Sequence, residues 1–105
     1  MPCNLVCLAV SAWLSLHGYD PSHRDAVLGY IRHESGFETC PADRGTGRFL
    51  FQWLPPRGFL PGSCPNLEEQ MTEADRELHN YYVGFWTARD PSRYMRRCFG
   101  AGECR

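Results

Sequence analysis

Apolar residues recur at helical spacing in three separate segments of this chain, and this pattern limits its fold more than any other feature. Within residues 4–17, 21–34 and 66–89, apolar side chains follow one another at steps of three or four positions, as on one face of an α-helix. A shorter helix is predicted at 92–99, and only 48–54 has the composition of a strand. We therefore predict a mainly α fold.

The faces of two of these helices predict how they pack. The first helix carries one apolar stripe at positions 5, 8, 12 and 16 and a second stripe beside it, so we expect it to be central in the fold. The third helix has a charged face that we expect to lie in solvent. That face comprises Glu68, Glu69, Glu73, Asp75, Arg76 and Glu77.

Six cysteines stand in a chain of 105 residues, a length that allows one domain with a modest core. An even number of cysteines in a small domain favours disulfides and an oxidising compartment. Spacing alone does not determine the pairing, but we favour Cys40–Cys64 because it would restrain the loop between the second and third helices. Free buried thiols are an alternative. A zinc site is disfavoured, since no Cys-x-x-Cys occurs and the histidines lack finger spacing.

The charge balance argues against several classes of partner. The net charge is -1, which gives no electrostatic basis for binding nucleic acid or an anionic membrane. All eleven basic residues are arginine, so a Schiff-base lysine and a phosphate-loop lysine are excluded. No segment reaches the roughly 20 apolar residues of a membrane span. Residues 5–16 are apolar but follow no basic region, so we expect a folded helix there and not a signal peptide.

One acid, Glu34, continues the apolar stripe at the end of the second helix. Val27, Tyr30 and Ile31 precede it by seven, four and three positions, which places all four on one helical face. A poorly solvated carboxyl keeps its proton at a higher pH than an exposed one, and a neutral carboxyl can protonate a leaving group. The alternative is a purely structural helix end, with Gly36 in the left-handed position that follows many helices.

A long loop rich in proline and glycine follows, at about residues 35–65. A loop of this length in a compact domain usually carries function. The loop contains the aromatic segment 48–54, which we predict to be a short strand or part of a small hairpin. It also returns Gln52 to the neighbourhood of Glu34, eighteen residues further along the chain.

Glu34-Ser35-Gly36-Phe37, followed at this distance by Phe51-Gln52-Trp53, resembles the lysozyme-like superfamily, in particular its phage-tail lysozyme and soluble lytic transglycosylase families. Members of these families end a helix in Glu-Ser-x-Phe and place a Gly-Leu-x-Gln segment at a similar distance. The resemblance covers about residues 5–99. It implies an α+β lysozyme-like fold in a single domain, 1–105, with a long active-site loop.

The chain departs from the family pattern at several positions. Phe49 stands where the family has a glycine three positions before the glutamine, and Glu38-Thr39 replaces the usual Asn-Pro. The cysteines are not part of the family pattern. These departures leave Glu34 and Gln52 in place but alter the backbone around them.

The resemblance implies cleavage of the β-1,4 bond between N-acetylmuramic acid and N-acetylglucosamine in peptidoglycan, with Glu34 as the acid and without metal or cofactor. In a lytic transglycosylase the same glutamate then takes the proton of the muramoyl 6-hydroxyl, which gives a 1,6-anhydro product. A hydrolase commonly adds a second carboxylate, for which Asp43 and Glu38 are the candidates, and we favour the transglycosylase. The implied substrate-binding residues are Ser35, Asp43, Phe51, Gln52, Trp53 and Tyr82.

Two other functions are compatible with the same residues. A module of this fold could bind peptidoglycan without turnover, and a disulfide-rich interaction domain would need no glycan. The expected partner is the peptidoglycan glycan strand, and the expected location is extracytoplasmic: periplasmic, secreted, or carried by a virion or another injection device. A place within a larger virion or secretion assembly fits the same expectation.

Overall fold

Helices dominate the computed structural model, which describes residues 3–40, 49–52, 64–101 and 103–104. Within these ranges there is no strand, and the prediction of a mainly α fold is confirmed. The helices are α1 (Leu5–Leu16), α2 (Pro21–Ser35), α3 (Leu67–Asn80), a 3₁₀ helix (Val83–Thr87) and α4 (Pro91–Tyr94), which continues as the π-helical turn Met95–Phe99.

Side-chain caps explain where the three long helices begin. The Asn4 side chain accepts a hydrogen bond from the Cys7 amide at 2.8 Å, and Asp20 accepts one from the His23 amide at 3.0 Å. At α3, Asn66 and Glu69 form a reciprocal capping box. Each cap satisfies amides that the first helical turn would otherwise leave without a partner.

Helix α2, and not α1, is the central element, which corrects the expectation for the first helix. Helix α2 packs against α1, α4 and the π-helical turn. Helix α1 buries Val10, Trp13 and Leu14 but leaves Leu5 84%, Leu8 56% and Leu16 83% exposed. The stripe at 5, 8, 12 and 16 therefore faces outward, because α1 packs through the side that carries Cys7, Val10, Trp13 and Leu14.

The third helix ends nine residues earlier than predicted, at Asn80 in place of residue 89. The chain turns at Tyr82 and resumes as the 3₁₀ helix. The indole of Trp86 donates a hydrogen bond to the Leu78 carbonyl at 3.2 Å, which takes up an acceptor that a longer helix would have used. The turn keeps both Tyr82 and Phe85 buried.

The charged face of α3 is not uniformly solvated, which corrects a second expectation. Glu77 is only 1% exposed, because it follows Gln70 and Ala74 along the buried side of the helix. Glu68 accepts a hydrogen bond from the Trp13 indole at 2.6 Å. Asp75 accepts one from the Tyr19 hydroxyl at 2.6 Å. These acids connect α3 to the first half of the chain.

All six cysteines are paired, as Cys3–Cys7, Cys40–Cys64 and Cys98–Cys104. The favoured Cys40–Cys64 pairing is confirmed, and the free-thiol and cysteine–zinc alternatives are wrong. Three disulfides are consistent with an extracytoplasmic protein. None of the helices in the described ranges combines the length and hydropathy that a membrane crossing requires.

Candidate functional site

Glu34 lies in the last turn of α2, where it is half-buried. Gly36 ends the helix in the left-handed conformation, with φ 61°, as predicted. Phe37 continues in that region with φ 68°, and its side chain is buried while Glu38 is exposed. A non-glycine residue held there costs roughly 1–3 kcal/mol, and such residues cluster at functional sites.

A cavity of about 450 Å³ opens beside Glu34, between α2 and the C-terminal helical segment. Its volume lies in the range of small-ligand sites. Both α2 and the C-terminal segment contribute small residues and polar residues to the lining. The described lining is Ala26, Gly29, Tyr30, His33, Glu34, Ser92, Arg96, Gly100 and Ala101.

Tyr30 connects Glu34 to the core. Its ring is 8% exposed and packs edge-on against Phe99 at a centroid distance of 5.4 Å. Burial raises the pKa of the Tyr30 hydroxyl strongly, and the charge of Glu34 and a hydrogen bond to its carboxyl raise that pKa further. The phenol therefore stays protonated beside the Glu34 carboxyl.

Gly100 makes room for that phenol. A Cβ atom at position 100 would lie 3.1 Å from Cε1 of Tyr30 and 3.3 Å from its hydroxyl oxygen. Any side chain there would displace the ring or the end of the C-terminal helix. The geometry of Glu34 thus depends on residues from both ends of the chain.

The segment Phe49–Gln52 forms a turn, so the prediction of a strand at 48–54 is wrong for these residues; the others lie outside the described ranges. Phe49 and Gln52 have φ values of 68° and 52°, which no strand contains. The backbone amide of Gln52 donates a hydrogen bond to the Phe49 carbonyl at 3.2 Å, which closes the turn.

The turn is held by Gln70, a residue that sequence analysis did not single out as functional. Its side-chain oxygen accepts a hydrogen bond from the Leu50 amide at 2.9 Å. Its side-chain nitrogen donates to the carbonyls of Thr39 and Pro65 at 3.0 and 2.9 Å. One fully buried amide therefore ties both ends of the long loop and its middle to α3.

Gln52 is half-buried, and its side-chain amide donates to the Phe49 carbonyl at 2.9 Å. It is not part of the described cavity lining, so the contact predicted between Gln52 and Glu34 is not among those observed. Asp43 and Trp53, the other predicted loop residues of the site, lie outside the described ranges.

Three predicted substrate-binding residues have packing roles. Phe51 and Tyr82 are each 2% exposed and pack near Phe99, at centroid distances of 5.9 and 5.1 Å. A ring so enclosed cannot stack on a sugar without leaving the core. Ser35 is fully buried and donates to the Ile31 carbonyl at 3.2 Å, one turn back.

Two charged residues, one that acts on Tyr30 and one that lines the cavity, have no signal in the sequence. The charge of Glu77 contributes to the raised pKa of Tyr30, after burial, Glu34 and Tyr82. Arg96 reaches the cavity from the C-terminal segment. Both depend on contacts between distant segments, which helical periodicity does not encode.

Comparison with protein-family models, with curated proteins and with solved structures finds no match to this chain.

Proposed function

We propose that this chain cleaves peptidoglycan glycan strands as a lytic transglycosylase, with Glu34 as its acid. The observation that carries the proposal is the placement of Glu34: it is half-buried in the last turn of the central helix, interacts with the buried Tyr30, and lines a cavity of about 450 Å³. A carboxyl held in this way can serve as general acid and then as general base.

The conformation of Phe49 supports the resemblance on which the proposal draws. Position 49, where the related families have glycine, adopts φ 68°. Glycine occupies that region at no steric cost. Phe49 thus adopts a backbone shape that glycine adopts easily, which supports the proposal.

In the proposed reaction, Glu34 gives its proton to the glycosidic oxygen as the bond from that oxygen to the muramoyl C1 breaks. The Glu34 carboxylate then takes the proton of the muramoyl 6-hydroxyl. The oxygen of that hydroxyl forms a new bond to the muramoyl C1. The products are a 1,6-anhydromuramoyl end and a free 4-hydroxyl. This route needs one carboxylate and no water.

The hydrolytic alternative needs a second carboxylate that activates water, at about 6.5–9.5 Å from the acid in an inverting enzyme. Glu38 is exposed at the start of the loop. In a hydrolase, replacement of Glu38 or Asp43 by the amide would abolish activity. In a transglycosylase, Glu38→Gln would stay within a few-fold of wild type, so it serves as the matched control for Glu34→Gln. A loss of activity in Asp43→Asn as large as in Glu34→Gln would favour the hydrolase.

Clearing of a purified peptidoglycan suspension tests the proposal. Glu34→Gln keeps the shape of the side chain but removes its ionisable proton, so the rate should fall by at least about 100-fold. A near-wild-type rate would contradict the role of Glu34. A wild-type protein that sediments with peptidoglycan but does not clear it would favour a non-catalytic binding module.

The three disulfides fit action outside the cytoplasm, where peptidoglycan lies. Periplasmic export, secretion and delivery by a virion or another injection device would each bring the chain to that substrate.

A further inference from the structure

The cavity beside Glu34 carries a positive charge on its opposite wall. Ser92 and Arg96 stand one helical turn apart and both line the cavity from the C-terminal segment. Arg96 is exposed, and within the described part of the chain it forms no ion pair with an Asp or Glu. Arg96 therefore lines the same cavity as the proposed catalytic acid and offers it a guanidinium without an acidic partner among the described residues.

The rest of the cavity leaves room for a ligand between Glu34 and Arg96. Gly29 has no side chain, and nothing lies within 4 Å of the position that its Cβ would occupy. His33 is exposed on the α2 side and offers a further polar contact. A ligand in this space would meet Glu34 at one point and Arg96 at another.

We propose that Arg96 binds a carboxylate carried on the lactyl arm of N-acetylmuramic acid, so that the cavity selects muramoyl residues over N-acetylglucosamine. The inference rests on the proposed function. The sugar rings of a glycan strand are neutral, and the lactyl arm is where acidic groups attach to them. The planar guanidinium matches a carboxylate with two parallel hydrogen bonds, a geometry that lysine cannot reproduce.

The carboxylate has two sources, which share one chemistry. In strands without peptide it is the lactyl carboxylate itself, and in strands with peptide it belongs to the peptide stem. Titration with three ligands separates them: the GlcNAc–MurNAc disaccharide, the same disaccharide with its peptide, and chitotriose, which has no carboxylate.

Binding is measured by calorimetry for wild type, Arg96→Gln, Arg96→Lys and Arg97→Gln. Arg97→Gln is the matched control, because Arg97 is the next residue, is exposed, and lines a different cavity with Arg93 and Glu103. Arg96→Gln should weaken at least one muramoyl ligand by about 10- to 100-fold, the effect of losing a hydrogen bond to a charged group. Arg96→Lys should recover part of that loss, while Arg97→Gln should change affinity less than about twofold.

The ligand that loses affinity identifies the source of the carboxylate. Three results with Arg96 would overturn the proposal: an Arg96→Gln affinity loss for chitotriose equal to that for the muramoyl ligands, an equal affinity loss in Arg97→Gln, or no affinity loss in Arg96→Gln. A wild-type protein that binds none of the three ligands would also overturn it. The result is independent of turnover. Carboxylate-dependent binding without clearing of peptidoglycan would support this inference and contradict the catalytic proposal. Clearing by wild type, with unchanged ligand affinity in Arg96→Gln, would support the catalytic proposal and contradict this inference.

Discussion

The hydroxyl of the buried Tyr30 interacts with the Glu34 carboxyl and so connects Glu34 to the interior. Replacement by phenylalanine keeps the ring contacts with Phe51 and Phe99 and removes only the hydrogen bond to the carboxyl. We expect Tyr30→Phe to lower kcat about tenfold with little change in KM, since a hydrogen bond to a charged group contributes roughly 1.5–3 kcal/mol.

Tyr94→Phe is the control for this variant, because Tyr94 is half-buried and its hydroxyl lies near Gly84, away from Glu34. Initial rates of peptidoglycan clearing across a substrate series give both constants. Equal kcat values for Tyr30→Phe and Tyr94→Phe would remove Tyr30 from the catalytic arrangement.

We expect Gln70 to contribute strongly to stability, although glutamine is a residue type that usually lies at the surface. Gln70→Leu would leave the Leu50 amide and the carbonyls of Thr39 and Pro65 without this partner. Each buried polar group that loses its partner costs about 1–3 kcal/mol. The free energy of unfolding, from urea titration, should fall by about 3 kcal/mol or more, and a loss below about 1 kcal/mol would show that the loop is held by other contacts.

Residue types predicted some of these positions and not others. Glu34 and Gly36 were predictable because helical spacing and the helix-ending role of glycine are local properties. The burial of Glu77 and the contacts of Gln70 were not, because polarity argues for solvent unless a distant segment supplies partners. Phe51 and Tyr82 were predicted to bind substrate, but aromatic residues serve both cores and ligand sites, and the sequence alone does not distinguish the two roles.

At the scale of the helix, the N-terminal cap of α2 makes stability depend on pH. Hydrogen bonds from the His23 amide and then from its imidazole lower the pKa of Asp20 from 3.8 to about 2. A carboxyl whose pKa is lower in the folded chain adds stability above its unfolded pKa, and that stability is lost as pH falls through the folded pKa.

Thermal unfolding of wild type and Asp20→Asn tests this cap. Asparagine also caps helices well, so the difference in Tm between the two proteins reports the charge. We expect wild type to be the more stable above about pH 4, with the difference shrinking towards zero by about pH 2. A difference that does not vary with pH would mean that the charge of Asp20 does not stabilise the helix.

The starts of the helices were easier to predict than their ends. Asn66 and Glu69 form their box within one turn, so the sequence is enough to locate the start of α3. Its end at Asn80 depends on Trp86 bonding back to Leu78. The turn at Phe49–Gln52 likewise depends on Gln70, which lies on another element. Apolar composition alone favoured a strand there.

At the scale of the whole molecule, the Cys40–Cys64 disulfide should stabilise the fold more than the other two. It joins residues 24 positions apart, whereas Cys3–Cys7 spans 4 and Cys98–Cys104 spans 6. The loop-entropy relation gives about 3.5 kcal/mol for the long loop and about 2 kcal/mol for the short ones.

Urea titration of double alanine variants measures this difference. Removal of Cys40 and Cys64 together should lower the unfolding free energy by about 1–2 kcal/mol more than removal of Cys3 and Cys7. Equal losses would mean that the long loop is restrained in the unfolded chain by something other than the disulfide.

The arrangement of the whole domain follows from α2, which supplies the central packing surface and ends in Glu34. The sequence predicted the number of long helices correctly but assigned the central place to α1. Overall hydrophobicity misled here: α1 is more apolar, yet it is α2 that packs against α1, α4 and the π-helical turn together. A central position depends on tertiary contacts, which composition does not reveal.

Mass spectrometry of the muropeptides released from purified peptidoglycan tests the central claim most directly. The account predicts 1,6-anhydromuramoyl products from wild type and at least about 100-fold less product from Glu34→Gln. Anhydro and reducing muropeptides differ in mass by one water, so a single spectrum distinguishes them. Reducing ends, or anhydro products released equally well by Glu34→Gln, would contradict the account.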